Sequence, residues 1–355
     1  MVKVTVVRRE TGSLAVEAAS ILVSVFLALT MGAVLLALMG KDPIATLAGM
    51  ASGAVGSKLA LTETLLKATP LLFTGIAVLV ALRAGVWNIG AEGQLVMGGI
   101  GTTGAALFWF TNVPEWLILP LVILSSFVAG ALWGLIPAAL KVTANVNEIL
   151  ATLMLNYVAV KFVEFLYYDS WRNPRGFGFP GTAELPSSAW LPRMSGRLHL
   201  GFVFALIIVF LIWLLISKTK FGFELKVMGA SYPTARYSGI NTGRSILIVM
   251  LISGGIAGLA GMSEISGVSH KLQNGLAVGY GFTGIIVAFL ARLRPVAVIP
   301  AAFIMAGLVV GSDQLQITQS LPAAFADVFQ GMVLLSLLAS ETLVSYRIRF
   351  EEARC

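Results

Sequence analysis

Two runs without a charged residue, 18–40 and 116–140, narrow the possible folds more than any other feature of the chain. Each exceeds the roughly 18 uncharged residues at which a membrane-spanning helix becomes the default reading. Inside a bilayer no water pairs with backbone N–H and C=O groups, so such runs close their hydrogen bonds internally, as helices. Only 12% of the residues are charged and 57% are hydrophobic, against about 25% charged in an ordinary soluble domain. The expected class is all-α: a polytopic membrane protein, read as one transmembrane domain over residues 1–355.

Hydropathy and turn residues divide the chain into about ten spans: 17–39, 69–83, 94–110, 116–140, 148–168, 201–217, 245–265, 281–291, 296–311 and 323–344. Lys3, Arg8 and Arg9 place the start of the first span in the cytoplasm. Its apolar stretch is too long for a signal-peptide core and is expected to stay as a span. Counting onward puts the mixed segment 41–67 outside. The long polar stretch 169–200, with Pro174, Pro180, Pro186 and Pro192, is also outside. The basic segment 218–244 is cytoplasmic, 312–321 is outside, and both termini are cytoplasmic. The net charge of +7 then follows from the positive-inside bias rather than from nucleic-acid binding.

Between the second and third spans lies Arg83-Ala-Gly-Val-Trp-Asn-Ile-Gly-Ala-Glu-Gly-Gln94. Asn88, Glu92 and Gln94 sit there among Gly85, Gly90 and Gly93. A polar or charged side chain deep in a lipid-facing helix costs roughly 2.5–3.5 kcal/mol, and each helical glycine about 1 kcal/mol. Both costs are tolerable where a helix breaks and its freed backbone lines a cavity. A second break, with Glu264, Gln273, Asn274, Gly275 and Gly279, separates the seventh and eighth spans. Spans 2–3 and 7–8 are short or broken and start from opposite sides, the pattern of an inverted repeat around a transport site.

The candidate solute-pathway residues are Asn88, Glu92, Gln94, Asn156, Glu264 and Asn274. Each has a structural alternative. Glu92 can cap broken-helix N–H groups or pair with Arg83, and Asn88 can cap the helix that follows. Asn145 or Asn147 can open the fifth span with Glu148 near its positive end, while Asn156 can join helices. The small residues of Ser253-Gly-Gly-Ile-Ala-Gly-Leu-Ala-Gly261 read first as a close-packing helix face.

The stretch 218–241 is unlike an ordinary loop. Pro233 can start a short helix, Gly229 and Gly239 bracket it, and Ala230, Ala235 and Ser238 offer a small surface on which a partner protein could pack. Other chemistries are excluded. No Gly-rich phosphate loop is present, and the single cysteine, Cys355, rules out an internal disulfide. His199 and His270 lack metal-ligand spacing and read as loop residues.

Residues 85–94, together with Asn147-Glu148, Met154-Leu-Asn-Tyr157, Phe221-Gly-Phe-Glu-Leu-Lys-Val-Met-Gly229 and Ala235-Arg-Tyr-Ser-Gly-Ile-Asn241, closely resemble the permease subunits of nucleoside and simple-sugar ABC importers, relatives of the ribose-type permeases. Length and the 169–200 loop resemble the longer of two permease types that pair in nucleoside importers. The resemblance implies an importer subunit that is not itself an enzyme and holds no cofactor, ATP being used by a separate ATPase subunit. It further implies a second homologous permease in a heterodimer and an extracytoplasmic substrate-binding lipoprotein. Coupling to the ATPase would fall on Glu224, Gly229, Ala230, Ala235, Arg236 and Gly239. The competing class is an ion-driven carrier acting alone, with Glu92 and Glu264 as ion sites.

Overall fold

The computed structural model describes residues 2–8, 14–176, 178–322 and 324–352, and divides into two compact units.

The first unit holds Met1–Gly56 and Leu308–Cys355. Its first elements are β1 (Val2–Arg8), α1 (Leu14–Leu38) and α2 (Pro43–Val55). Asp42 starts α2: its side chain accepts from the backbone N–H of Ile44 and Ala45, and Pro43 takes the first helical turn, where its missing N–H costs nothing. The chain bends by 119° between α1 and α2.

The second unit, Ser57–Gly307, opens with α3 (Lys58–Arg83), capped by the Ser57 hydroxyl on Ala60 N–H at 3.0 Å. Then come α4 (Ala91–Gly104), α5 (Glu115–Ala144) and α6 (Glu148–Phe165). A small hairpin of β2 (Arg193–Ser195) and β3 (Leu198–His199) precedes α7 (Gly201–Lys218), α8 (Lys220–Ala230), α9 (Tyr232–Tyr237), α10 (Thr242–Glu264) and α11 (Tyr280–Leu290). Helix α12 (Val298–Gln319) begins in this unit and ends in the first, which closes with α13 (Phe325–Ser345) and β4 (Tyr346–Glu352).

Helices occupy all ten stretches expected as spans. Among the described residues, six helical segments are long and apolar enough to cross a membrane, or seven if the bent α1–α2 pair is one span. Three boundaries differ from expectation. The mixed segment 41–67, counted outside the spans, is mostly helical, because α2 and the first part of α3 fill it. The second span, expected from 69, begins earlier as α3 at Lys58, because Ser57 caps it there. The polar stretch 312–321 is helical to Gln319, whose side-chain oxygen accepts from Thr46 while its backbone carbonyl takes the Lys41 ammonium, each at 2.9 Å. In addition, β1 pairs antiparallel with β4, from Val2 opposite Glu352 to Arg8 opposite Tyr346, which brings the two ends of the chain together. Val2-Lys-Val-Thr-Val6 and Tyr346-Arg-Ile-Arg-Phe350 each alternate apolar and polar residues, the period of two expected of strands.

Burial separates the helices of the second unit into two kinds. Helices α3 and α10 are almost wholly buried, whereas α5, α6 and α7 expose apolar side chains such as Trp116, Leu124, Leu132, Phe165 and Phe210. Lipid tails are as apolar as leucine, so close backbone packing holds the inner helices instead. A Cβ added at Gly130 or at Gly258 would run into backbone of the opposing helix, Gly254 and Ser126 respectively, and one at Gly98 would strike Gly258. The small-residue stripe of α10 is therefore a packing seam between α4 and α5. Gly258→Val is expected to lower the stability of the solubilised chain by about 1–3 kcal/mol, the scale of overpacking, as a drop in its thermal midpoint. An unchanged midpoint would contradict this packing.

Candidate functional site

Helix α3 ends where Gly85 takes φ +74° and Val86 N–H turns back to the Ala81 carbonyl at 3.0 Å. Residues 84–90 then return beside α3 without forming helix. Asn88 marks how far they climb. Its amide nitrogen donates to Gln94 Oε1 and Ser253 Oγ, each at 2.9 Å, and Ser253 donates to the Ala77 carbonyl at 2.7 Å. Ala77 lies about 9 Å along the axis from Arg83. The Asn88 oxygen accepts from Gly90 N–H and from the Gln94 amide. Asn156, on α6, completes the node: its oxygen accepts from Gly93 N–H at 2.8 Å and its nitrogen donates to the Ile89 carbonyl at 2.9 Å. Asn88, Glu92, Gln94 and Asn156 are all buried. Non-helical backbone within a membrane needs such partners, because lipid supplies none.

The second break repeats this from the other direction. After α10, residues 270–279 return without helix to Gly279, at φ +92°, and α11 begins. The Thr74 hydroxyl donates to the Tyr280 carbonyl at 3.0 Å, so α11 starts beside the same part of α3 that Asn88 reaches. The two breaks meet through Glu92. One of its oxygens accepts from Gly279 N–H at 2.8 Å and the other from Gly281 N–H. A carboxylate on the first amides of α11 satisfies donors that no helical carbonyl can reach and suits the positive helix end. Arg83, the alternative partner considered from sequence, makes no ion pair with Glu92. Asn274 is exposed in the second break, away from the buried node, and Glu264 is the last residue of α10, part-accessible. The pathway candidates therefore fall into a bonded group of four and two residues apart from it.

Residues 60–338 match the family described as branched-chain amino acid transport system / permease component. The chain belongs to that family. Curated relatives include the glucose ABC transporter permease protein TsgB13 of Haloferax volcanii, 34% identical over 92% of this chain and 88% of its own. The guanosine ABC transporter permease protein NupP of Bacillus subtilis is 32% identical over 93% and 94%. The nucleoside ABC transporter permease protein NupB of Lactococcus lactis is 28% identical over 82% of each chain. The protein is a multi-pass membrane permease, a transport subunit.

In this permease the stretch 218–241 forms α8 and α9, capped by Thr219 and Ser231. The pair rests directly on the first break. A Cβ on Gly229 would strike the Arg83 carbonyl, and one on Gly85 would touch Tyr232 and Gly229. The Tyr232 hydroxyl donates to the Ala84 carbonyl at 3.2 Å. Burial first, and the Glu148 charge second, push that hydroxyl above the usual tyrosine range, so it stays protonated and able to donate. Gly229, Ala230, Arg236 and Gly239 are exposed and Glu224 is partly so, whereas Ala235 is fully buried. Ala235 packs inward and takes no part in the small outer surface expected of it. Asn147 caps α6, and Lys141 pairs with Glu148 at 2.7 Å; Asn145 instead ends α5 with φ +51°.

Sequence reasoning missed how the 169–200 loop is held. It lies along residues 266–272 of the second break. Backbone N–H groups of Thr182, Leu185 and Leu191 donate to the carbonyls of Leu272, His270 and Ser266 at 2.8–2.9 Å. Trp190 stacks on His270 with ring centroids 3.9 Å apart, and the Arg193 guanidinium lies 3.4 Å from the same imidazole. Both histidines are buried rather than free in loops. His199 is pushed down to about 4, chiefly by burial and then by His270. Burial first and Arg193 second also hold His270 below its ordinary value. The unfolded chain takes up these protons near pH 6.5, whereas folded His199 resists until about 4. Stability is therefore unaffected by these rings above pH 6.5 and falls as the pH drops toward 4, by up to about 3 kcal/mol for His199. The thermal midpoint at pH 5 is expected to lie below that at pH 7.5, and His199→Asn to flatten the difference; equal slopes for both chains would contradict it.

Proposed function

We propose that this permease is the membrane-spanning subunit of an ATP-driven ABC importer that passes nucleosides, with simple sugars the next solute class. The observation that carries the mechanism is the double attachment of residues 84–90. On one face Gly229 and Tyr232 of α8–α9 hold them; on the other, Asn88 ties them to the node that meets α11 through Glu92. A push on α8–α9 thus reaches both breaks through bonded contacts, without a long lever. The glucose, guanosine and nucleoside permeases among its relatives support the solute class.

In this reading the chain makes ten crossings with both termini cytoplasmic, consistent with the β1–β4 pairing of its ends. A separate ATPase subunit docks on α8–α9 and uses the ATP; the permease needs no cofactor. A cavity of about 790 Å³ beside α9, lined by Lys141, Glu148, Tyr232, Arg236 and Thr242, adds relief to that surface. A second, homologous permease completes the path as a heterodimer, and an extracytoplasmic binding lipoprotein delivers solute to the side carrying the 169–200 loop. Nucleotide binding in the ATPase shifts the population between two packings of the breaks. An ion-driven carrier using Glu92 is disfavoured, because both Glu92 oxygens are committed to backbone amides.

The test is reconstitution of the chain with an ABC ATPase subunit, a second homologous permease and a binding protein. Radiolabelled guanosine and glucose are offered separately to proteoliposomes with and without ATP. ATP-dependent uptake of either is expected. Gradient-driven uptake by this chain alone would overturn the assignment.

A further inference from the structure

Burial alternates along the first break. Val86, Asn88 and Gly90 are buried, whereas Trp87 is 44% exposed and Ile89 half-buried. Side chains of an extended chain point alternately to opposite faces, so this segment turns one face to the node and the other away from it. Both faces lie deep along the helices. Asn88 bonds Ser253, eleven residues past the first residue of α10 and about 16 Å along its axis. Ile89 N–H donates to the Thr152 hydroxyl at 3.3 Å, and its carbonyl takes the Asn156 amide at 2.9 Å; those partners lie four and eight residues past Glu148, the first residue of α6. Lipid pairs no N–H or C=O group, so irregular backbone at such depth is tolerated only against protein or a water-filled cavity. The outward face of the break therefore borders one of these and not acyl chains.

On that face the Trp87 ring stands beside Phe289 of α11, with centroids 6.0 Å apart and planes inclined by 40°. The pair links the first break to the helix that follows the second. Interrupted helices that come together mark the solute site of a transporter. What this place can offer a solute is restricted. Asn88, Glu92, Gln94 and Asn156 are buried, and their polar atoms bond one another or backbone. The node turns no side-chain donor or acceptor outward. The indole turns out a flat π face, which stacks on any nucleobase and reads no base edge.

We infer that Trp87, backed by Phe289, is a stacking platform for the planar base of a nucleoside in the translocation path. The platform rests on the importer reading above and adds the chemistry of one solute contact. The base is held by its face, so purines and pyrimidines both pass, and the larger guanine is held more tightly than uracil. Residues 84–90 also carry the Tyr232–Ala84 bond, so a shift of α8–α9 moves the indole against Phe289 and loosens the stack.

The experiment uses the complete reconstituted importer with its binding protein saturated, so that rates report the path. Guanosine, uridine and glucose are the probes, and co-purification with the ATPase verifies assembly. Trp87→Leu is expected to slow guanosine uptake about fivefold to a hundredfold, the scale of one base–aromatic stack. Uridine should lose less, and glucose, where it is carried, least. Trp87→Phe keeps a π face and should restore most of the guanosine rate. A second measurement needs no transport. Cys355 is the single cysteine, so in a Cys355→Ser chain the thiol introduced by Ile89→Cys reports this face alone. It should react with a membrane-impermeant maleimide, saturating guanosine should shield it, and adding Trp87→Leu should abolish the shielding. Wild-type guanosine rates in Trp87→Leu would overturn the platform, as would equal losses in the leucine and phenylalanine variants or equal losses for every solute carried. A thiol that never reacts is covered by lipid or by the second permease, and one that guanosine leaves reactive meets no solute; either result overturns it too. If Trp87→Leu fails to assemble, Trp87→Phe and the shielding of the thiol decide. A wild-type importer that carries glucose but no nucleoside would overturn the platform and leave the importer reading intact. Absence of all ATP-driven uptake by the wild-type complex would instead count against that reading.

Discussion

Replacing Glu92 with alanine is expected to destabilise the permease by roughly 2–6 kcal/mol, because each buried, unpaired donor costs about 1–3 kcal/mol. The two donors are Gly279 N–H and Gly281 N–H, at the start of α11 where no helical carbonyl serves them. Water cannot replace the carboxylate easily, since Glu92 is almost fully buried and a Cβ at Gly281 would already touch its backbone. Glu92→Gln keeps the shape and one acceptor but presents an NH2 group to the second amide. Its loss should be about half that of alanine. Thermal unfolding of the solubilised protein gives the order wild type, glutamine, alanine, and hydrogen exchange at 279–282 should rise in the same order. If alanine and glutamine unfold together at the wild-type midpoint, the two breaks are not joined through Glu92.

Gly229→Val has the largest expected effect on transport. A Cβ there meets the Arg83 carbonyl well inside contact distance and lies 3.5 Å from Gly85 N. Backbone cannot yield as a flexible side chain can, so α8 must lift from the first break and the Tyr232–Ala84 bond opens with it. The assembled complex should still hydrolyse ATP while solute moved per ATP falls tenfold or more. Tyr232→Phe removes only the hydroxyl and should give a smaller loss of the same kind. A Gly229→Val complex with the wild-type solute-to-ATP ratio would show that force does not travel through this contact.

Much of the helical framework can be read directly from the chain. Long uncharged runs such as 116–140 leave the backbone no alternative to helix in lipid, and α5 duly spans them. The costly residues Asn88, Glu92 and Gln94 mark the first break because nothing else repays them in a membrane. Boundaries were less legible. Hydropathy starts the second span at 69, yet the Ser57 cap begins α3 at Lys58 and Pro70 lies inside it. Ala235 looks like surface by composition, but α9 turns it inward. The histidines look like loop residues, but Trp190 and Arg193 arrive from a distant part of the chain to enclose His270.

Local chemistry determined that this protein is helical, membrane-embedded and interrupted at two places, since hydropathy and glycine content act within a few residues of where they occur. Only the folded chain decided that the interruptions face each other, that Glu92 grips the start of α11, and that α8–α9 bears on residues 84–90. Those contacts join residues far apart along the chain, such as Glu92 with Gly281 and Tyr232 with Ala84. A hydrogen bond of this kind leaves no periodic trace: it depends on where two backbones come to lie, and that is set by the glycine seam between α4, α5 and α10.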